Sequence, residues 1–518
     1  MDTIGSLIPA GASALRFTID DTAVPFLALF AFLWLVSGAY AWTTTPASER
    51  GRLFAYYVPS AVGGIGVAMA SDAISFYLCF ALMALPAWGL ITHDRSAKSR
   101  RAGAVYLTLT AIGEALLLAA LILMATGSGS LILAEMRTGV TASPHAVVIV
   151  ALLLGSISLK IGTLPFSGVL PLSYTYTPAG AASALAGASA KVGALAMVRL
   201  LPAGAVGAEW VSTVMLLGLI TALGAAVLGV LTSTPRAVLG YSSASQLGLI
   251  LIAGGVSLGD AGVTALAHGA IVAFALHHGL AKSALVLGAD VIPRTKGRAR
   301  TLSLWALALP ALALVGAPFT SGFVAKFALK DAIHALHGPV PDAVYALLPL
   351  TAIGTAALML RFFALVRADS SEDASPKRYP AALWGLVLGA TLAAVWAWPA
   401  EWNRHALEAA LAPDALWTAT WPTLVALAGW GALSLAPAFA GRLGGTLVPG
   451  DVLVAVAERI RTFDAASRGT RSGTEPERTP RPRVGIAPIN IEGRLVAWMT
   501  ASTIFVLLAL AFVALAAL

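Results

Sequence analysis

Ionisable side chains recur within stretches apolar enough for hydrocarbon. They are Glu114 in AIGEALLLAAL, Lys160 in SLKIGTLPF, Lys191 in GASAKVGALAM, His277, His278 and Lys282 in FALHHGLAKSALVLGAD, and Lys326 with Lys330 in APFTSGFVAKFALKDAI. A charged side chain at the bilayer centre costs about 2.5–3.5 kcal/mol on insertion scales. Several such costs in one chain point to a task, and the chemistry shared by amines, imidazoles and a carboxylate is proton transfer. Some of these groups can instead reach an interface with the head group in water, most readily Lys330 beside Asp331; that course is less open to Glu114 and Lys191. His278 and Lys282 are four residues apart and share a helix face, so a neutral imidazole could hand protons to the amine. The plainer reading, a histidine that only packs or hydrogen-bonds, stays open. His268, His277 and Lys330 are secondary candidates. The single cysteine, Cys79, excludes an intrachain disulfide and any thiolate zinc or iron–sulfur site, so no metal and no cofactor is expected in this chain.

Two of the lysines lie next to helix breakers. In LKIGTLPFSG and VGAPFTSGFVAK a Pro-Phe pair and then a glycine follow apolar helix, and Pro165 or Pro318 frees a carbonyl one turn upstream. A broken helix at membrane depth is tolerated only beside protein or a water-filled cavity. The two segments are about 150 residues apart, which suggests a repeat of roughly five spans. An odd number of spans inverts the second copy in the membrane.

The elements that must position these groups are transmembrane helices. The 518 residues are 58% hydrophobic and 11% charged, against roughly 25% charged in soluble domains. The mean hydropathy is +0.84. Apolar runs of about 20 residues fit the hydrocarbon thickness. The expected fold is an all-α polytopic bundle of about fourteen spans with two inverted repeats containing broken helices. The spans lie near residues 23–43, 54–70, 74–92, 104–126, 146–165, 179–201, 211–231, 237–256, 262–290, 303–334, 343–366, 380–399, 420–440 and 494–518. Lys and Arg collect on alternate loops, as the positive-inside rule requires: Arg50 and Arg52; Arg95, Lys98, Arg100 and Arg101; Arg236; Arg294, Lys296, Arg298 and Arg300; Arg367, Lys377 and Arg378. The opposite loops carry only Arg137 and Arg404. Both termini are then expected on the outer face of the inner (cytoplasmic) membrane. This bias accounts for the net charge of +8, so no nucleic-acid partner is expected. Residues 1–22 lack the basic and short apolar regions of a cleavable signal, so the first span is expected to be retained.

The chain divides into an N-terminal segment (1–22), N-terminal spans (23–103), a first half-channel repeat (104–231), a second (237–366), C-terminal spans (367–440), a cytoplasmic amphipathic helix and linker (441–493) and a terminal span (494–518). In the linker region DVLVAVAERIRTFDAASR reads as a surface-lying helix and GTRSGTEPERTPRPRVG as a flexible tether, with a loop that merely carries positive charge as the alternative.

From about residue 23 to 366 the sequence resembles the antiporter-like, proton-pumping membrane subunits of respiratory complex I, formate hydrogenlyase-type membrane hydrogenases and Mrp-type sodium/proton antiporters. The resemblance rests on LKIGTLPFSGVLP, ASALAGASAKVGALAMVRLLP, RAVLGYSSASQLGLI, HHGLAKSALVLGAD and GAPFTSGFVAK. It implies that Lys160 is the central proton-carrying lysine and Lys191 the connecting one. His278 and Lys282 would carry protons along the midplane, with Lys326 on the exit side. Where the family usually places a Trp-Glu pair, this sequence has Phe80 and Ala81. A family His-x-Trp-Leu-Pro segment appears as Ser167, Gly168, Val169, Leu170 and Pro171, and two N-terminal spans typical of the family are not evident.

With Ala81 in place of the usual acid, Glu114 takes the modulating role. Two charges about 7 Å apart at an effective dielectric of about 20 interact by roughly 2.4 kcal/mol, enough to change proton affinity well over tenfold. The resemblance implies a proton-translocating subunit of a multi-subunit complex. Its partners would be other membrane subunits and a redox module, with catalysis residing there and not in this chain. The alternatives are a proton-conducting partner of a cytoplasmic module for inorganic-carbon (bicarbonate or CO2) uptake, a Mrp-type cation/proton antiporter subunit that moves Na+, and a mainly structural subunit.

Overall fold

The computed structural model describes residues 15–369, 378–396, 408 and 412–435. The expected 441–493 linker and the 494–518 span lie outside them. Among the described residues the fold is helical, with only two isolated β-bridges, Phe17 to Ala70 and Asp72 to Ile132. Nine helices there are long and apolar enough to cross a membrane, or ten if the bent pair Ala146–Ile161 and Phe166–Tyr176 counts as one span. The expected 303–334 stretch supplies one of these spans, Gly297–Val315 (α14), followed after a break by the 14-residue Ser321–His334 (α15). Of the expected 380–399 span, described to residue 396, Arg378–Ala393 (α17) is α-helical.

The first half runs Ala23–Thr44 (α1), Ala47–Met69 (α2), Ala73–Ala84 (α3), Ala87–Ile91 (α4), Ala97–Ser128 (α5), Leu133–Gly139 (α6), Ala146–Ile161 (α7), Val169–Tyr176 (α8), Ala179–Gly187 (α9), Val192–Leu200 (α10) and Ala208–Val230 (α11). There follow Pro235–Val256 (α12), Ala261–Val291 (α13), then α14 and α15, Pro339–Ala368 (α16), α17 and Pro413–Leu435 (α18). Local chemistry sets many boundaries. Asp72, Ser96, Thr234, Asp260 and Thr320 accept backbone N–H groups at the starts of α3, α5, α12, α13 and α15. Gly162 and Gly316 close α7 and α14 in the left-handed region, with φ of 69° and 88°.

The two halves of each loop-charge pattern gather at opposite helix ends. At the arginine-rich end, Arg52 donates to the carbonyl of His93, Arg236 to that of Thr177, and Arg300 to those of Val366 and Asp369. At the other end Arg199 pairs with Asp20 and Arg137 donates to Val198. In the middle, every residue from Ala237 to Val256 of α12 is buried, including Ser242, Ser243, Ser245 and Gln246. The α9–α10 stretch is fully enclosed too, whereas α5 and α14 bury only a third of theirs.

Small residues let these helices approach. A Cβ on Gly248 would lie 2.6 Å from the carbonyl of Gly218 and 2.8 Å from the amide of Ala222, while Ser245 donates to the carbonyl of Ala222 at 2.8 Å. Membrane helices associate by such close packing, since lipid offers no hydrophobic drive between them. Gly248→Val should therefore destabilise the bundle by about 1–3 kcal/mol, read as a lower unfolding midpoint in detergent. Gly389→Ala is the control, because its added Cβ meets nothing within 4 Å. Equal midpoints for the two variants would show that α11 and α12 are not pressed together at this glycine.

Candidate functional site

Glu114 and Lys160 come together because α5 packs along α7. The helices are in contact at Gly113, where a Cβ would sit an ordinary 3.6 Å from that of Leu159. Both side chains line a crevice with about 40 Å³ open to water, walled also by Phe80, Thr110, Ser173 and Tyr174. That is room for a few molecules. Glu114 is 6% exposed and its Oε1 has no hydrogen-bond partner. The Lys160 ammonium lies 5.0 Å from the centroid of the Phe80 ring, within cation–π range. Phe80 thus contributes an aromatic face at the point where α3 has Ala81 and no acid.

The same crevice is bordered by Ser189 and Ala190, and the next residue is Lys191. These residues form a 3-10 turn that interrupts the expected single span between α9 and α10. Lys191 is wholly buried, and its ammonium donates to the carbonyl of Ala186 in the last turn of α9. Lys282 is equally buried and donates to the carbonyl of Leu239 at 3.2 Å. Lys326 donates to the carbonyl of Val315, the last residue of α14. A helix leaves its final carbonyls unpaired, and Lys191 and Lys326 occupy such positions.

His277 and His278 lie among these lysines. His277 Nδ1 is 2.9 Å from Ser321 Oγ, and the charges of Lys326, Lys191 and Lys282 all reach its ring. His278 is fully buried, feels Lys191 and Lys282, and neither ring nitrogen has a hydrogen-bond partner. Buried polar groups left in this way need water. Lys330 is one turn beyond Lys326 and acts on it. His268 stands apart, ten residues and about 15 Å of helix rise from His278, within reach of Arg137. Pro165 lies between α7 and α8, and Pro318 between α14 and α15. The structure therefore forms two groups, Glu114–Lys160 and Lys191–His278–Lys282–His277–Lys326, joined at the turn that holds Ser189 to Lys191.

The profile of the NADH:quinone oxidoreductase/Mrp antiporter transmembrane family matches residues 70–340, which contain both groups. The chain belongs to this family. It is 28% identical over 342 residues to NADH-quinone oxidoreductase subunit N of Desulforudis audaxviator, covering 61% of this chain and 66% of that one. It is 27% identical over 237 residues to hydrogenase-4 component B of Escherichia coli, covering 44% and 35%. Its fold is that of a chain in the Mrp complex from Dietzia sp., with a TM-score of 0.72 at 21% identity over 99% of this chain and 57% of that chain. The chain thus spans two thirds or less of the length of these relatives.

Within this antiporter-family chain, sequence reasoning missed Ser321, the turn at Ser189–Lys191 and the ring contact of Phe80. Ser321 stands beside the Pro318 break, which was a usable signal; the Phe80 contact joins residues 80 apart and had none. The ring contact has a measurable consequence. Phe80→Leu should remove about 0.5–2 kcal/mol of stability when Lys160 is present and much less in a Lys160→Met background. Unfolding midpoints of the four proteins would decide it, and equal losses in both backgrounds would reduce Phe80 to a packing residue.

Proposed function

We propose that this chain is a proton-translocating membrane subunit of a multi-subunit complex, moving H+ through a lysine–histidine–glutamate relay at mid-membrane depth and coupled to a redox module. The observation that carries the reading is the group of Lys191, Lys282 and Lys326 around His277 and His278, in which both ring nitrogens of His278 and Nε2 of His277 lack a partner and call for water. Amines and imidazoles exchange protons readily, and gathering several of them inside an apolar bundle is costly. The names carried by the relatives, an NADH-quinone oxidoreductase subunit and a hydrogenase component, support a redox partner.

In this reading Lys160 loads a proton under the control of Glu114. Lys191 passes it to His278 and Lys282, and Lys326 with Lys330 releases it after His277. His268 serves near the far end. The chain needs no cofactor or metal of its own. Its topology is fourteen spans with the arginine-rich loops in the cytoplasm and both termini outside, and residues 104–231 and 237–366 are inverted half-channel repeats. The paired breaks support that symmetry, since each begins at a left-handed glycine, Gly162 or Gly316, and continues to a Pro-Phe pair.

Proton pumping by the assembled complex in membrane vesicles tests the reading. Lys160→Ala should abolish it while the chain still inserts, and Lys160→Arg should fail as well because a guanidinium does not release its proton. Normal flux in either variant refutes the role of Lys160. Glu114→Gln should slow pumping roughly tenfold or more, Glu114→Asp less, and adding Ala81→Glu to Glu114→Gln should recover part of the rate. Equal loss in the Gln and Asp variants, without rescue, would leave Glu114 a packing residue.

A further inference from the structure

A polar cavity of about 310 Å³ opens at the arginine-rich end, where the start of α12 meets the end of α13. It has room for many waters, since about 10–15 Å³ of such space holds one. Arg236, Asp290, Arg294 and Asp369 stand in its wall, and none of the relay residues does.

Asp290 organises this wall. Its Oδ1 accepts from Arg236 at 3.4 Å and from Arg294 at 3.2 Å, and its Oδ2 accepts from the Tyr40 phenol at 2.8 Å. Arg236 also donates to the carbonyl of Thr177, between α8 and α9, at 2.8 Å. Tyr40 is 1% exposed, so its hydroxyl lies behind Asp290 and inside the protein. Three residues earlier on α1, about one turn deeper, Ser37 Oγ donates to Ser183 Oγ at 2.9 Å. Ser283 Oγ donates to the Ser183 carbonyl at 3.0 Å. All three serines are fully buried.

This order descends toward the relay. Asp290 and Lys282 are eight residues apart on α13, about 12 Å of helix rise, and the serine hydroxyls fall within that interval. Ser283 adjoins Lys282, whose ammonium holds the carbonyl of Leu239, one turn along α12 from Arg236. The close approach that brings α9 to α13 depends on Gly187, where a Cβ would lie 2.0 Å from Ser283 Oγ.

We infer that the Asp290 cavity is the aqueous mouth that supplies the Lys191–Lys282 centre, and that Tyr40 with the Ser37, Ser183 and Ser283 hydroxyls carries protons inward along α1. The inference rests on the relay reading above and adds an entrance to it. Phenol and aliphatic hydroxyls both donate and accept hydrogen bonds, so with one water bridging Tyr40 to Ser37 and another bridging the Ser183 hydroxyl to that of Ser283, whose own acceptor is a carbonyl that cannot relay, each oxygen takes a proton on one side and gives one up on the other. A hydrated metal cation cannot follow through residues with no exposed surface. Asp290 is the positioning residue. It fixes the phenol and offsets the arginine charge.

The test uses the assembled complex in vesicles, with Lys282→Ala as reference. Tyr40→Phe keeps the ring and should slow proton pumping roughly tenfold or more, as should Ser37→Ala combined with Ser183→Ala. Asp290→Asn should do the same and Asp290→Glu should restore much of the rate, a rescue that a purely structural loss would not give. Thr234→Cys, in a Cys79→Ser background, should react with a membrane-impermeant thiol reagent from the arginine-rich side only. If Lys282→Ala stops pumping while Tyr40→Phe and the serine pair pump at the wild-type rate, the mouth is overturned and the relay stands. If Lys282→Ala itself pumps normally, the relay reading falls and the mouth with it. Absence of labelling from the arginine-rich side overturns the mouth even where Asp290→Asn fails to assemble.

Discussion

An ammonium group enclosed by apolar helices must find oxygen, and here it finds main-chain carbonyls. Lys191 holds that of Ala186, Lys282 that of Leu239 and Lys326 that of Val315. Two of these carbonyls belong to helix ends created by a break in the chain. An unpaired carbonyl and an unpaired ammonium are each costly at such depth, and pairing them offsets both costs. The break and the lysine therefore depend on each other. A continuous helix would consume the carbonyl in its own ladder, and the lysine would lose its partner.

Everything around the lysines follows from that arrangement. Interrupted helices have weak ladders at mid-depth and need close neighbours, which small residues provide. Gly218 against Gly248 and Gly187 against Ser283 bring backbones near enough for serines to bond across helices. The buried α12 carries Ser242, Ser243, Ser245 and Gln246 beside the interrupted segments, so the middle of the bundle is polar although the sequence around it is apolar. This separation of polar axis from apolar surface is what would allow the proposed proton path and a lipid-facing wall to coexist in one layer.

How much of this was legible in the sequence depends on the kind of signal. The lysines and the prolines beside them stand out because each violates the rules for a spanning helix, so Lys160 with Pro165 and Lys326 with Pro318 could be read directly. The turn at Ser189–Lys191 has no proline. It is made by small residues that are equally at home in a helix, and only packing against α13 decides the matter. Asp290 and Arg236 were hidden for a different reason. Arg236 was counted with the loop charges that set orientation, and nothing in one dimension says that it meets Asp290, with Tyr40 behind. Contacts such as His277 to Ser321 join residues 44 apart and have no local trace.

The two groups of ionisable residues differ in one respect that bears on direction. Lys160 has a carboxylate in its crevice, whereas the groups that act on His277 and His278 are lysines and one another. Two positive charges roughly 8 Å apart repel by about 2 kcal/mol at an effective dielectric of about 20. Simultaneous charging of Lys191, Lys282 and Lys326 is therefore opposed, and in the proposed relay a proton arriving at one would favour departure from another. A chain of bases without its own counter-charge behaves as a shared reservoir for few protons. Among the described relay residues, the carboxylate beside Lys160 would then hold charge in the proposed relay until something changes the distance between Glu114 and the amine. Movement of α5 against α7, which pack along one another, would do so.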